Sequence, residues 1–142
     1  MSRAISHALT REELCSWGEA LGASLDAPAI VTLEGDIGAG KTTLVQAIAR
    51  GAGVTEAVTS PTYSLVHTYR ARSSMLYHLD LYRLETAAEL RALAFDEILA
   101  DRAIVVIEWP ELAKDRIPGK VVRLRLSHLP GDHERREVED FR

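Results

Sequence analysis

"LEGDIGAGKTTL", residues 33–44, decides the fold. Gly35, Gly40, Lys41 and Thr42 fit G-x-x-x-x-G-K-[ST], the spacing of a loop that wraps a nucleoside triphosphate. Small residues let backbone N–H groups converge on phosphate oxygens, and the helix that follows adds the positive end of its dipole. In this pattern Asp36, Ile37, Gly38, Ala39, Gly40, Lys41, Thr42 and Thr43 surround the phosphates. Lys41 reaches the β- and γ-phosphates, and the Thr42 hydroxyl is placed to ligate magnesium. The context supports the motif. "AIVTLE" (29–34) is a short apolar run suited to a buried parallel strand, and "TLVQAIARGAG" continues as a helix that Gly51 is available to stop.

The rest of the chain bounds what such a loop can serve. At 142 residues, with 46% hydrophobic and 27% charged residues, residues 1–142 read as a single domain of ordinary balance. A net charge of −4 argues against a protein that grips nucleic acid unaided, so any RNA contact calls for a partner to supply positive charge. The single Cys15 excludes an internal disulfide and reads as a packing residue. With no apolar stretch resembling a signal peptide in the first thirty residues and no run of transmembrane length, a cytoplasmic location is expected.

Outward from the loop, local signals are plentiful. In "LTREEL" Thr10 and Glu13 form a capping box, with Leu9 placed to staple onto Leu14. "YSLVHTY" (63–69) and "MLYHLDLY" (75–82), joined by a polar link, read as an antiparallel hairpin. Thr86 and Glu89 cap a second helix, and "AIVVIEWPE" (103–111) is a continuous apolar run closed by a carboxylate and a proline. Residues 120–139 read as two strands around a Pro-Gly-Asp turn. Strands alternating with helices give an α/β class: a P-loop NTPase-like domain, its central sheet largely parallel with antiparallel additions and flanked by helices.

Three further stretches carry chemistry. Glu108 ends the apolar run where ligands gather in open α/β sheets, and offers magnesium a second protein group in place of the usual aspartate. In "HLDLYR" (78–83) His78, Asp80 and Tyr82 share one strand face, opposite Leu79 and Leu81. Asp80 can orient water or magnesium there; His78 can hold Asp80 or bond to the backbone, and Tyr82 with Arg83 reads equally as a rim pair. Trp109 fits either a structural role or a partner contact. In "TSPTYS" (59–64) Pro61 stiffens a candidate switch loop whose Thr62 hydroxyl points toward the γ-phosphate.

The succession "GDIGAGKTT", "SPTYSLVHTY", "YHLDLYRL" and "IEWPE" resembles the TsaE (YjeE-like) family of small bacterial ATPases, over Gly35 to Glu111 and more loosely toward both ends. The resemblance implies a P-loop fold and a role in making threonylcarbamoyladenosine in tRNAs that read codons beginning with A. The family's partners are TsaB and TsaD; TsaD performs the carbamoyl transfer, so tRNA is met indirectly through that complex. By this likeness Lys41 and Thr42 carry phosphate and magnesium, Glu108 is the second metal residue, and Asp80 is needed for turnover. Glu111, closing "IEWPE", joins the nucleotide-binding set; Thr10 and Arg11 lie near the base, and Arg135 approaches the nucleotide. The expected activity is a slow magnesium-dependent ATPase activated by its partners. Two alternatives are a small-molecule kinase, whose arginine-rich lid is not evident here, and a nucleotide-gated binding module with negligible turnover. A GTPase would carry an [NT]-K-x-D segment, which the sequence lacks.

Overall fold

The computed structural model describes residues 4–36, 38–61, 63–118 and 121–142. Among these, seven strands form one sheet: β1 (Ile5–Thr10), β2 (Ala29–Gly35), β3 (Val66–Arg70), β4 (Met75–Asp80), β5 (Ile104–Glu108), β6 (Val122–Leu129) and β7 (Asp132–Asp140). Their order is β1-β7-β6-β2-β5-β4-β3. The four strands β6-β2-β5-β4 are parallel, and β3 on one side and β7 and β1 on the other add antiparallel pairs. The expected parallel centre with antiparallel additions is therefore what the chain builds. Every residue of β5 is buried, as its uninterrupted apolar run requires of a strand covered on both faces.

Helices cover both faces. On one, α1 (Arg11–Ser24) and α2 (Lys41–Gly51) pack Leu14, Leu21, Leu44 and Ile48 onto Val31, Leu33, Leu76, Val106 and Leu126. On the other, α3 (Ala87–Ala92), α4 (Phe95–Ala100) and a 3₁₀ helix (Pro110–Arg116) enclose Leu79, Leu81, Val105 and Ile107 with Leu90, Phe95 and Ala113. Strand parity sorts the side chains: Leu79 faces the second core, whereas Leu76 belongs to the first, and with it the strand face of His78 and Asp80.

Both capping boxes form. Thr10 Oγ1 accepts from Glu13 N–H at 3.2 Å while Glu13 Oε1 accepts from Thr10 N–H at 2.9 Å, and Thr86 with Glu89 repeats the pattern. β1 runs directly into α1 at Thr10, a strand for which the sequence carried no signal because its pairing with β7 is entirely non-local. The anticipated helix stop needs correction. Gly51 is the last helical residue of α2, and Gly53, at φ 98°, takes the left-handed turn instead.

Gly51 has a different task. A Cβ there would stand 2.0 Å from the Glu19 carbonyl oxygen, and one at Gly22 would stand 2.0 Å from that of Ile48. The two helices thus meet backbone to backbone, each presenting glycine to the other. That contact seats α2, and with it the phosphate-loop motif, against the sheet. Gly22→Ala must push the helices apart and is expected to cost about 1–3 kcal/mol, the range for overpacking a close contact. Urea unfolding measures the loss; an unchanged midpoint would contradict so close an approach.

Candidate functional site

The C-terminal ends of β2, β4 and β5 lie abreast. Leu33 is the register partner of Glu108, and Glu108 that of Asp80. The loop from Gly35 to Gly40 leaves β2 at this edge, and Gly40, at φ 100°, makes the left-handed turn into α2. No side chain caps α2, so its first-turn N–H groups stand at the cleft as an anion site. Gly38, Gly40, Lys41, Thr42, Thr43, Ser60, Asp80, Glu108 and Trp109 line a cleft of about 360 Å³. The residues named from the sequence for phosphate, cation and turnover are brought together here.

Lys41 is buried, with its ammonium donating to the carbonyl oxygens of Gly35 and of Asp36, the latter at 2.9 Å. It also sits 4.3 Å from the centre of the Trp109 ring. Burial lowers the Lys41 pKa, opposed by the negative charges of Glu108, Asp80, Asp36 and Glu111. Asp80 is half-buried, and this desolvation raises its pKa. The neighbouring Glu108 adds to the rise; the Tyr82 N–H donated to Oδ1 at 3.1 Å opposes it. Glu108 is buried and accepts a 2.6 Å hydrogen bond from Nε2 of His78, which is wholly buried. His78 therefore holds Glu108, where the sequence had suggested Asp80 or the backbone.

Other residues sort around this centre. Asp36 and Glu111 line another hollow that shares Trp109 with the cleft, and Ala39 is buried in the core. Tyr82 lies past the end of β4, 58% exposed, and meets the Trp109 ring at a tilt, centroids 4.9 Å apart; Arg83 lies over the ring of Tyr63 at 4.6 Å. Trp109 itself adopts φ 55°, ψ 62°, a strained conformation for a non-glycine residue that aims its ring between Lys41 and Tyr82. Thr10 and Arg11 line a second, larger cavity of about 660 Å³ that shares Gly38, Gly40 and Thr43 with the cleft. From the β6–β7 turn this cavity is lined by His133, Glu134 and Arg136, whereas Arg135 pairs with Asp132 at 3.5 Å. Ile37 and Thr62 lie outside the described residues. Among the described residues of the 59–64 loop, Ser60 lines the cleft. Sequence reasoning also missed Trp109 over Lys41, because neither neighbour predicts the left-handed turn between β5 and the 3₁₀ helix.

No cluster of three or more His, Cys, Asp or Glu side chains able to hold a metal by themselves occurs among the described residues. A hydroxyl and one or two carboxylates in the cleft would need a further ligand, such as a phosphate oxygen, to hold a cation.

The sequence model of "Threonylcarbamoyl adenosine biosynthesis protein TsaE" matches residues 9–138. The chain belongs to the TsaE family. It is 39% identical over 132 residues to the TsaE of Nostoc sp., covering 91% of this chain and 80% of that one. The TsaE of Treponema pallidum is 34% identical over 118 residues, covering 83% and 87%. For that of Bacillus subtilis the figures are 37% over 106 residues, 75% and 65%. Among solved structures, Bacillus subtilis YdiB superposes with a TM-score of 0.81 at 26% identity, covering 99% of this chain and 86% of that chain. No helix among the described residues of this TsaE-family chain is long and apolar enough to cross a membrane.

The raised pKa of Asp80 makes a stability prediction. The folded state binds the Asp80 proton more tightly than the unfolded state, so stability falls as pH rises from the ordinary aspartate range through the raised value. Above both, the half-buried charge costs stability. Asp80→Asn, whose amide oxygen still accepts from Tyr82 N–H, is expected to melt higher than the wild type at neutral pH. The gain should shrink on acidification and vanish below the ordinary aspartate range. Differential scanning calorimetry across pH measures it, and a variant less stable at neutral pH would contradict the assignment.

Proposed function

We propose that this TsaE-family chain binds and hydrolyses ATP as an accessory protein in the formation of threonylcarbamoyladenosine in tRNA, acting with a TsaB–TsaD complex. The observation that carries the reading is the convergence of Lys41, Thr42, Asp80 and Glu108 on one cleft at the ends of three adjacent strands. Membership of the TsaE family, named for threonylcarbamoyladenosine biosynthesis, supports the pathway.

In this reading the N–H groups of the glycine loop and the Lys41 ammonium bind the triphosphate of the substrate, whose oxygens take the place of the Gly35 and Asp36 carbonyls as partners of Lys41. Thr42 and Glu108 would hold magnesium, which supplies neutralisation of the charge developing between the β- and γ-phosphates. Asp80, its pKa raised by burial, is suited to orient the attacking water and accept its proton. Ser60 brings the 59–64 loop to the cleft, where in this reading the loop would sense the γ-phosphate as a switch does. The base then occupies the larger cavity beside Thr10 and Arg11. Lys41 is the one cationic side chain among the described cleft residues, so faster turnover awaits a positive group from the partner.

Three measurements test this. Lys41→Ala should lose about tenfold or more in ATP affinity by calorimetry, the worth of a charge-assisted contact. Asp80→Asn should bind ATP as the wild type does yet lose about a hundredfold or more in turnover. In a reconstituted assay with tRNA, the threonylcarbamoyl donor, TsaB and TsaD, repeated rounds of modification should require this protein and ATP. Asp80→Asn should fail to support them. Equal multiple-turnover product with the protein omitted would overturn the function.

A further inference from the structure

His78 is the polar side chain among the largest fully buried residues, and an imidazole in such a place is costly unless paired. Its pairing follows from register. His78 is the partner of Val106, so Glu108, two residues on, is its diagonal neighbour on the same sheet face. The 2.6 Å contact joins Nε2 to Oε2 of Glu108, while Nδ1 is buried with no hydrogen-bond partner among the described residues. The orphan favours one tautomer. If Nδ1 carried the proton, a buried N–H would stand unpaired; with the proton on Nε2, only a bare lone pair does, and orphaned acceptors are the more tolerable of the two.

We propose that His78 is a positioning residue, its Nε2–H holding Oε2 of Glu108 and so fixing the carboxylate that meets the cation in the cleft. The inference rests on the reading of Glu108 as a ligand of magnesium in the nucleotide site. Glu108 stands directly opposite Asp80, and two carboxylates abreast repel. Committing Oε2 to the imidazole settles which way Glu108 turns, so that cleft chemistry falls to Oε1. It also gives a use to the extra methylene of glutamate at this position, since the side chain must reach both a histidine on the next strand and the cleft. Outer partners of this kind typically change metal affinity about 10- to 100-fold when removed.

The test has a spectroscopic arm and a kinetic arm. In protein labelled with ¹⁵N-histidine, free of nucleotide, the His78 ring should show the Nε2–H tautomer with a solvent-protected proton. An Nδ1–H tautomer, or a proton in rapid exchange with water, overturns the proposal without reference to turnover. In kinetics, His78→Leu should raise the magnesium concentration for half-maximal ATP turnover about tenfold. ATP affinity measured without magnesium should stay within about twofold of wild type. His78→Gln, which keeps a donor near the Nε2 position, should recover most of the loss and stands in if the leucine variant does not fold. In a Glu108→Gln background, His78→Leu should add no more than about twofold, because the two act as one unit. An unchanged magnesium requirement, or an equal loss in both backgrounds, contradicts positioning. A wild-type protein with no magnesium-dependent turnover would remove the nucleotide reading itself, while the tautomer still decides whether His78 holds Glu108.

Discussion

The parallel register of β4, β5 and β2 is the constraint on which the site depends. It sets Asp80 beside Glu108 and Glu108 beside Leu33, two residues before the glycine loop begins. A slip of one residue along β5 would exchange Glu108 for an apolar neighbour on the cleft face and turn its carboxylate into the opposite core. Register here is secured by burial on both faces: Val106 and Ile104 belong to the core beneath α2, Val105 and Ile107 to that beneath α4. The chemistry at the strand ends is thus positioned by apolar side chains that take no part in it.

The same packing makes the site costly to hold. A lysine, a histidine and a glutamate are buried within one small region, and Asp80 is half-buried beside them. Each is compensated by a specific partner: backbone carbonyls and the Trp109 face for Lys41, the imidazole for Glu108, the Tyr82 N–H for Asp80. The compensation is incomplete at Asp80, where desolvation prevails, and the backbone of Trp109 is strained. Such local costs concentrate where function demands a preset arrangement.

Much of this was legible in the sequence where the signal is local. The loop spacing, the two capping boxes at Thr10 and Thr86, the hairpin of β3 and β4 and the apolar run of β5 all depend on residues a few positions apart. The sharing of a face by His78 and Asp80 followed from the period of two. What could not be read is what non-local pairing decides. β1 exists through β7, Gly22 and Gly51 matter only because α1 meets α2, and His78 finds Glu108 thirty residues away. Around the second cavity, Arg136 and Arg135 are neighbours in sequence, yet Arg136 lines the cavity and Arg135 pairs with Asp132.

The central claim is that Lys41, Thr42 and Glu108 form one nucleotide and cation site. Its most direct test is a crystal structure with magnesium and a non-hydrolysable ATP analogue. The account predicts the triphosphate along residues 35–42 with Lys41 Nζ on its β- and γ-oxygens. The cation should lie between the Thr42 hydroxyl and the Glu108 carboxylate, with the His78 hydrogen bond still in place. A triphosphate bound elsewhere, or a cation remote from both Thr42 and Glu108, would contradict it.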